Sequence, residues 1–202
     1  MAHPFKHLRL IIKHRHRVIA NASHMGIFFH ALRHDLSKFS HLEFHTSSKY
    51  YIGDHSPVYE ERLANDYFST ICQHHTRRNK HHWEYWTDFF GGRVIAKQMP
   101  YKYALEYVCD VISASMTYNE KEFKKDAPYL YFKKKMNHYF MNEGTKTFLL
   151  ACFKEYAENG FKNLKKKNTK PLYEKIMKEH NKVDIYDTSL NAGELPKLKK
   201  IT

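Results

Sequence analysis

Apolar residues in this chain recur at three- and four-residue intervals, and no segment alternates as a half-buried strand would. Residues 4–22 show the pattern first, with Leu8, Ile11, Ile12, Val18 and Ile19 along one stripe of an amphipathic helix. Only 7 Gly and 6 Pro occur in 202 residues, so few breakers interrupt such runs, which favours long helices over many short strands. The pattern predicts an all-α architecture.

The breakers that do occur divide the chain. Gly26 ends the first helix, and "IFFHALRHDL" begins a second, more buried one. Ser40 and Glu43 have the spacing of a capping box, which predicts a short helix after Ser40. "YYIGDHSP" is a loop, and Pro57 suits the first turn of a helix reaching about Asn79. "HHWEYW" reads as a short aromatic turn or helix closed by "FFGGR", and Pro100 opens "YKYALEYVCDVISASMTYN". Helices are expected over 128–138 and 143–158, the second stopped by Gly160. The expected organisation is a helical domain over residues 1–160, then residues 161–202 as a basic linker, a last helix over 171–181 and a loose tail from 187.

Composition narrows the class of protein. Hydrophobic residues at 42% and aromatics at 15% exclude a disordered chain. No run approaches the roughly 18–20 apolar residues of a membrane span, and the N-terminal apolar run is too short for a secretory signal. The expectation is a cytoplasmic protein with no membrane partner. Cys72, Cys109 and Cys152 are scattered and form no C-x-x-C, so they read as reduced thiols rather than a thiolate zinc site. A net charge of +13 attracts anionic partners without choosing among nucleotides, nucleic acid and acidic lipid.

Sixteen histidines are more informative, fourteen of them spread through residues 3–82. Four places carry candidate ligands: His14 and His16 in "KHRHRV", the pair His34-Asp35, the segment "QHHTRRNKHHWEYW" with His74, His75, His81 and His82, and Asp110 in the apolar "YVCDVISASM". A lone carboxylate on the interior face of a helix costs several kcal/mol unless it is paired or binds an ion. Asp110 is therefore either bonded to a tyrosine or arginine, or a metal ligand. Adjacent helical residues point about 100° apart, so His34 and Asp35 can share one cation only near a helix end. His30, one turn earlier, is read as a core histidine with its own partners rather than an outer partner of the pair. Trp83, Tyr85 and Trp86 imply that the histidine-rich segment packs down, with one histidine of each pair pointing inward.

Taken in order, these pieces resemble the HD-domain metal-dependent phosphohydrolase superfamily. "KHRHRVIANAS" resembles its first helix, "LRHDLSKF" its His-Asp motif with a trailing lysine, and "YVCDVISASMT" its distal Asp helix. The resemblance implies a helical bundle with a metal centre between helices, ligated by His14, His34, Asp35 and Asp110. The subgroup with more than one metal carries a His-His pair before the last Asp; His81 and His82 stand 29 and 28 residues before Asp110, and His74 or His75 fills a further place. "HDLSKFS", "RNKHHWEYWTD" and "MPYKYALEYVCD" resemble more closely an uncharacterised family of small bacterial and phage proteins, over roughly residues 5–135. The Gly-Tyr-Pro motif of cyclic-dinucleotide phosphodiesterases is absent, and His55 and His74 only partly stand in for a further family histidine, so the number of ions, one or two, stays open.

The donor types fit that chemistry. A cation held by imidazole and carboxylate acidifies water and polarises a phosphoryl oxygen. Ligation without thiolate allows Mn, Fe, Zn, Co or Ni, with Mg also possible. Phosphate oxygens need positive donors, for which Lys38, Arg77, Arg78 and Lys80 are the right types. Lys38 and Asp35 are expected in the catalytic centre, and Glu84 is expected to orient a ligand or accept a proton. The first functional reading is thus a metal-dependent phosphohydrolase acting on a nucleotide or small phosphodiester. The alternative is a basic single-stranded nucleic-acid-binding protein whose metal site is structural or degenerate. A third is a noncatalytic regulator that binds a nucleotide.

Overall fold

A computed structural model describes residues 3–188. Helix α1 spans Pro4–Met25, and its buried face is His7, Ile11, His14, Val18, Asn21, Ala22 and Met25. The seam keeps the expected spacing, but histidines occupy its first half, while Ile12 is exposed. Gly26 ends α1 in the left-handed region, with φ at 79°. A side chain there is strained. Gly26→Ala is expected to destabilise the protein by roughly 1–2 kcal/mol, readable in urea denaturation.

The long helix expected after Gly26 is only one turn, α2, Phe28–Ala31. Nor is it more buried: Phe29 is 83% exposed and Phe28 and Leu32 are exposed as well, leaving Ala31 to pack inward. A turn and a 3₁₀ segment, Leu36–Phe39, follow, then α3, His41–Lys49, capped by Ser40 as expected. The single helix expected from Pro57 is two, α4 at Pro57–Ala64 and α5 at Thr70–Arg78. Asp66 and Tyr67 have positive φ between them. Ser69 caps α5, and buried Glu61 accepts from the Ser69 hydroxyl and from the backbone N–H groups of Thr70 and Ile71, which fixes the break.

The fold is not all-α. Beyond a 3₁₀ turn at Trp83–Trp86, "TDFF" forms β1, Thr87–Phe90, and "RVIAK" forms β2, Arg93–Lys97. Gly91 and Gly92, both with positive φ, make the two-residue turn that suits a twisted hairpin. Strands this short carry too few alternations to register as a period. The third strand, β3 at Val183–Asp187, pairs antiparallel with β2, giving the order β1-β2-β3. The strand falls between the expected last helix and the expected loose tail and takes in only the first residue of that tail, Asp187; residues 189–202 lie outside the described residues.

Helix α6, Tyr101–Tyr118, organises the rest. One side packs Ala104, Leu105, Val108, Cys109 and Ile112 against α1, against Phe132 of α7, Ala127–Lys135, and against Phe148, Leu149 and Phe153 of α8, Glu143–Asn159. The last helix, α9, runs Lys166–Glu179, so half of the expected basic linker is helical, and Leu164 and Ile176 bury into the same core. The other side of α6 carries Glu106 and Asp110 toward α1, the turn after α2, and the turn beyond α5.

Candidate metal centre

The turn after α2 answers why a His-Asp pair interrupts an apolar stretch. Asp35 sits in the left-handed region with φ at 53° and ψ at 29°. Aspartate tolerates this better than most residues, and the local cost is of the kind found at functional sites. Because the backbone leaves the helical path there, both side chains turn toward one interior space. His34 and Asp35 are each 1% exposed.

Around Asp35 the donor atoms fall into two cages. In the first, His14, His34, Asp35 and Asp110 each offer an atom within 4.8 Å of all the others. In the second, Asp35, His75, His81 and His82 do the same. Asp35 belongs to both, with its two oxygens facing opposite ways. Oδ2 lies 3.3 Å from His34 Nε2, whereas Oδ1 lies 3.3 Å from His75 Nε2 and 3.4 Å from His81 Nε2. Asp110 Oδ1 lies 3.0 Å from His14 Nε2 and 3.6 Å from His34 Nε2. A third grouping, His34, His81 and Glu106, borders both.

These groups approach one another without completing hydrogen bonds. His14 Nε2, His34 Nε2, His81 Nε2, His82 Nε2 and Asp35 Oδ1 are buried with no hydrogen-bond partner among the described residues, while Asp35 Oδ2 is met by the Lys38 ammonium. Leaving one buried polar atom unpaired costs about 1–3 kcal/mol. Five unpaired atoms converging on two shared spaces form a ligand set, and a divalent ion in each would satisfy them. The donors, imidazole and carboxylate without thiolate, fit such ions.

The charges agree. Burial alone would raise the carboxyl pKa values, but the His34, Lys38 and His75 charges hold Asp35 well below the usual carboxylate range, and the facing His14 and His34 do the same for Asp110. Burial would lower His34, yet Asp35, Asp110 and Glu106 hold it well above its ordinary value. For His75, burial is likewise outweighed, by Asp35 and Glu43, and the pKa is raised to about 9. His14 and His82 are lowered, chiefly by burial, and so are neutral donors.

Two outer carboxylates escaped the sequence reading. Glu43 fulfils its capping role only through its backbone N–H, which donates to Ser40; its buried side chain accepts from His74 Nδ1 at 2.5 Å and His75 Nδ1 at 3.0 Å. His74 belongs to neither cage. Glu106 lies 3.0 Å from His34 Nδ1, 3.4 Å from His81 Nδ1 and 2.7 Å from His30 Nε2. That corrects the reading of His30 as a core histidine: its side chain is partly exposed and belongs to the outer shell. The available signal was Glu106 standing one helical turn before Asp110.

A cavity of about 300 Å³ opens onto both cages, lined by His14, Lys38, His75, His82, Glu84 and Asp110 and walled by apolar residues including Leu10, Ile11, Val58 and Ile71. Lys38 Nζ lies 2.6 Å from Asp35 Oδ2 and is the only lysine or arginine among the described lining residues. Arg77, Arg78 and Lys80 do not line it. Each is exposed, on α5 or in the turn beyond it. Lys80 instead lies over the Tyr85 ring. Glu84 lines the cavity with Oε2 buried and unpartnered, and burial raises its pKa. His16 is exposed, and His55 bonds Asp54 and Glu60 away from the cages.

Among the described residues no helix is long and apolar enough to cross a membrane. No curated protein and no solved structure matches the chain. A family model does match, over residues 3–155, a span that holds every residue of both cages and both outer carboxylates: the chain belongs to the family of unknown function DUF5662.

Proposed function

We propose that the protein is a metal-dependent phosphohydrolase of the HD-domain type, acting on a nucleotide or small phosphodiester with Mn, Fe, Zn, Co or Ni, or with Mg, in its cages. The observation that carries this reading is one carboxylate, Asp35, shared by two ligand cages whose members His14, Asp110, His75 and His82 line a cavity that also holds a lysine. Ions held there acidify water and polarise phosphoryl oxygens. Lys38 neutralises the non-bridging oxygens of the bound ester, and the apolar walls take the remainder of the substrate. Glu84, held toward its protonated form by burial, is the proton-exchanging group at the rim.

The test loads purified protein with each metal in turn and follows phosphate release from a panel of nucleotides, other phosphomonoesters, and cyclic and linear diesters. Lys38→Met should lower kcat by roughly 10²–10³-fold, the loss typical of one transition-state donor, while metal content is kept. No turnover of any ester by the loaded wild type would remove the proposal.

A second reading rests on residues the cavity does not use. Arg77, Arg78, Lys80 and Tyr85 are exposed together on one short segment, the basic and aromatic mix that grips single strands. Such binding would weaken steeply with salt and survive Asp110→Ala.

A further inference from the structure

We propose that Glu106 is a positioning residue that couples the two ion cages, by fixing which nitrogen of one histidine in each cage faces the ion. The inference rests on the metal-centre reading above. A neutral imidazole has one N–H and one lone pair, and only the lone pair can ligate. Glu106 Oε1 faces His34 Nδ1 at 3.0 Å and His81 Nδ1 at 3.4 Å. A carboxylate only accepts, so in the neutral form of each ring Nδ1 carries the proton and Nε2 presents the lone pair. Both Nε2 atoms are among those left without a hydrogen-bond partner among the described residues. His34 serves the first cage and His81 the second.

The carboxylate is itself held. His30 Nε2 lies 2.7 Å from Oε2, the oxygen that faces neither His34 nor His81, and Glu106 is 5% exposed. Glu43 makes a useful contrast, because it faces His75 and thus a ligand of the second cage alone. Removing Glu106 releases one ligand from each ion; removing Glu43 releases one ligand from one ion.

The experiment titrates Ni²⁺ into metal-free wild type, Glu106→Met, Glu106→Gln and Glu43→Met against a competing chelator, with far-UV circular dichroism as the check on folding. Loss of an outer partner weakens metal binding roughly 10–100-fold. Glu106→Met should show that loss at both steps, and Glu43→Met at one. Glu106→Gln should recover part of it, since the amide oxygen still accepts from both rings while its NH₂ turns to His30. A purely structural role for Glu106 predicts no such recovery. If Glu106→Met does not fold, imidazole ¹⁵N spectra of the zinc-loaded wild type decide instead: Nδ1 of His34 and of His81 should both be protonated, and Nε2–H on either overturns the clamp. A wild type that binds two ions, with a folded Glu106→Met that binds them as tightly or loses only one, overturns the clamp alone. A wild type that binds no ion overturns the metal-centre reading and the clamp with it.

Discussion

Asp35→Asn should strip both ions from the protein, whereas Asp110→Asn should strip only one. Each oxygen of Asp35 faces a different cage, so neutralising this one side chain removes an anionic ligand from both sites at once. Asp110 is a member of the first cage alone. Losing a direct carboxylate ligand should exceed the roughly 10–100-fold cost of losing an outer partner, so elemental analysis of purified Asp35→Asn should find almost no transition metal. Metal-free stability should also fall. His34, Lys38 and His75 face Asp35 as buried or half-buried cations, and breaking such a set by removing the anion costs about 3–5 kcal/mol. Urea denaturation of the metal-free proteins reads that loss separately from metal content. Equal metal in Asp35→Asn and wild type would show that the shared carboxylate holds no ion.

Much of this centre was legible before any coordinates, and what was missed has a common cause. His14, Asp35 and Asp110 are polar residues where the apolar spacing of their helices leaves no reason for them, and each is a donor in the first cage. Glu43 and Glu106 have ordinary local explanations: one fits a capping box, the other lies among polar and aromatic residues at the start of α6. Their function depends on elements distant in the chain, Glu43 on α5 and Glu106 on the turn after α2, which no local pattern records. Arg77, Arg78 and Lys80 fail in the opposite direction. Closeness in sequence to His75 suggested a shared site, but all three side chains are exposed and none lines the cavity. Lys38 reaches the cavity because the 3₁₀ turn after Asp35 brings it back over that carboxylate. The hairpin was missed although "FFGGR" contains the Gly-Gly of a tight turn, because each strand is only four or five residues long.

Stabilisation by added metal should grow with pH between about 6.5 and 9, and the sign follows from His75. Its pKa in the metal-free fold is about 9, above the ordinary 6.5. A raised folded pKa contributes stability that is fully present below the unfolded value and is lost as pH rises through the folded one. Metal-free protein should therefore lose stability across this window, by an amount on the order of 3 kcal/mol for a shift of this size. Ion binding runs the other way. Only neutral imidazole ligates, so below pH 9 an ion must displace a proton from His75, and affinity climbs up to about tenfold per pH unit for that proton. His34, also raised, adds to both trends, while His14 and His82, held low, have no proton to give up near neutrality. Melting temperatures of chelator-treated and nickel-loaded protein, taken from pH 6.5 to 8.5, should diverge steadily. Glu43 makes the control informative: Gln in place of His75 can still donate to that carboxylate but cannot titrate. His75→Gln should flatten the metal-free slope and lower the affinity of the second cage. A gap between the two melting curves that stays constant with pH would mean that His75 never exchanges its proton for an ion, and the second cage would then be a hydrogen-bonded histidine cluster rather than a metal site.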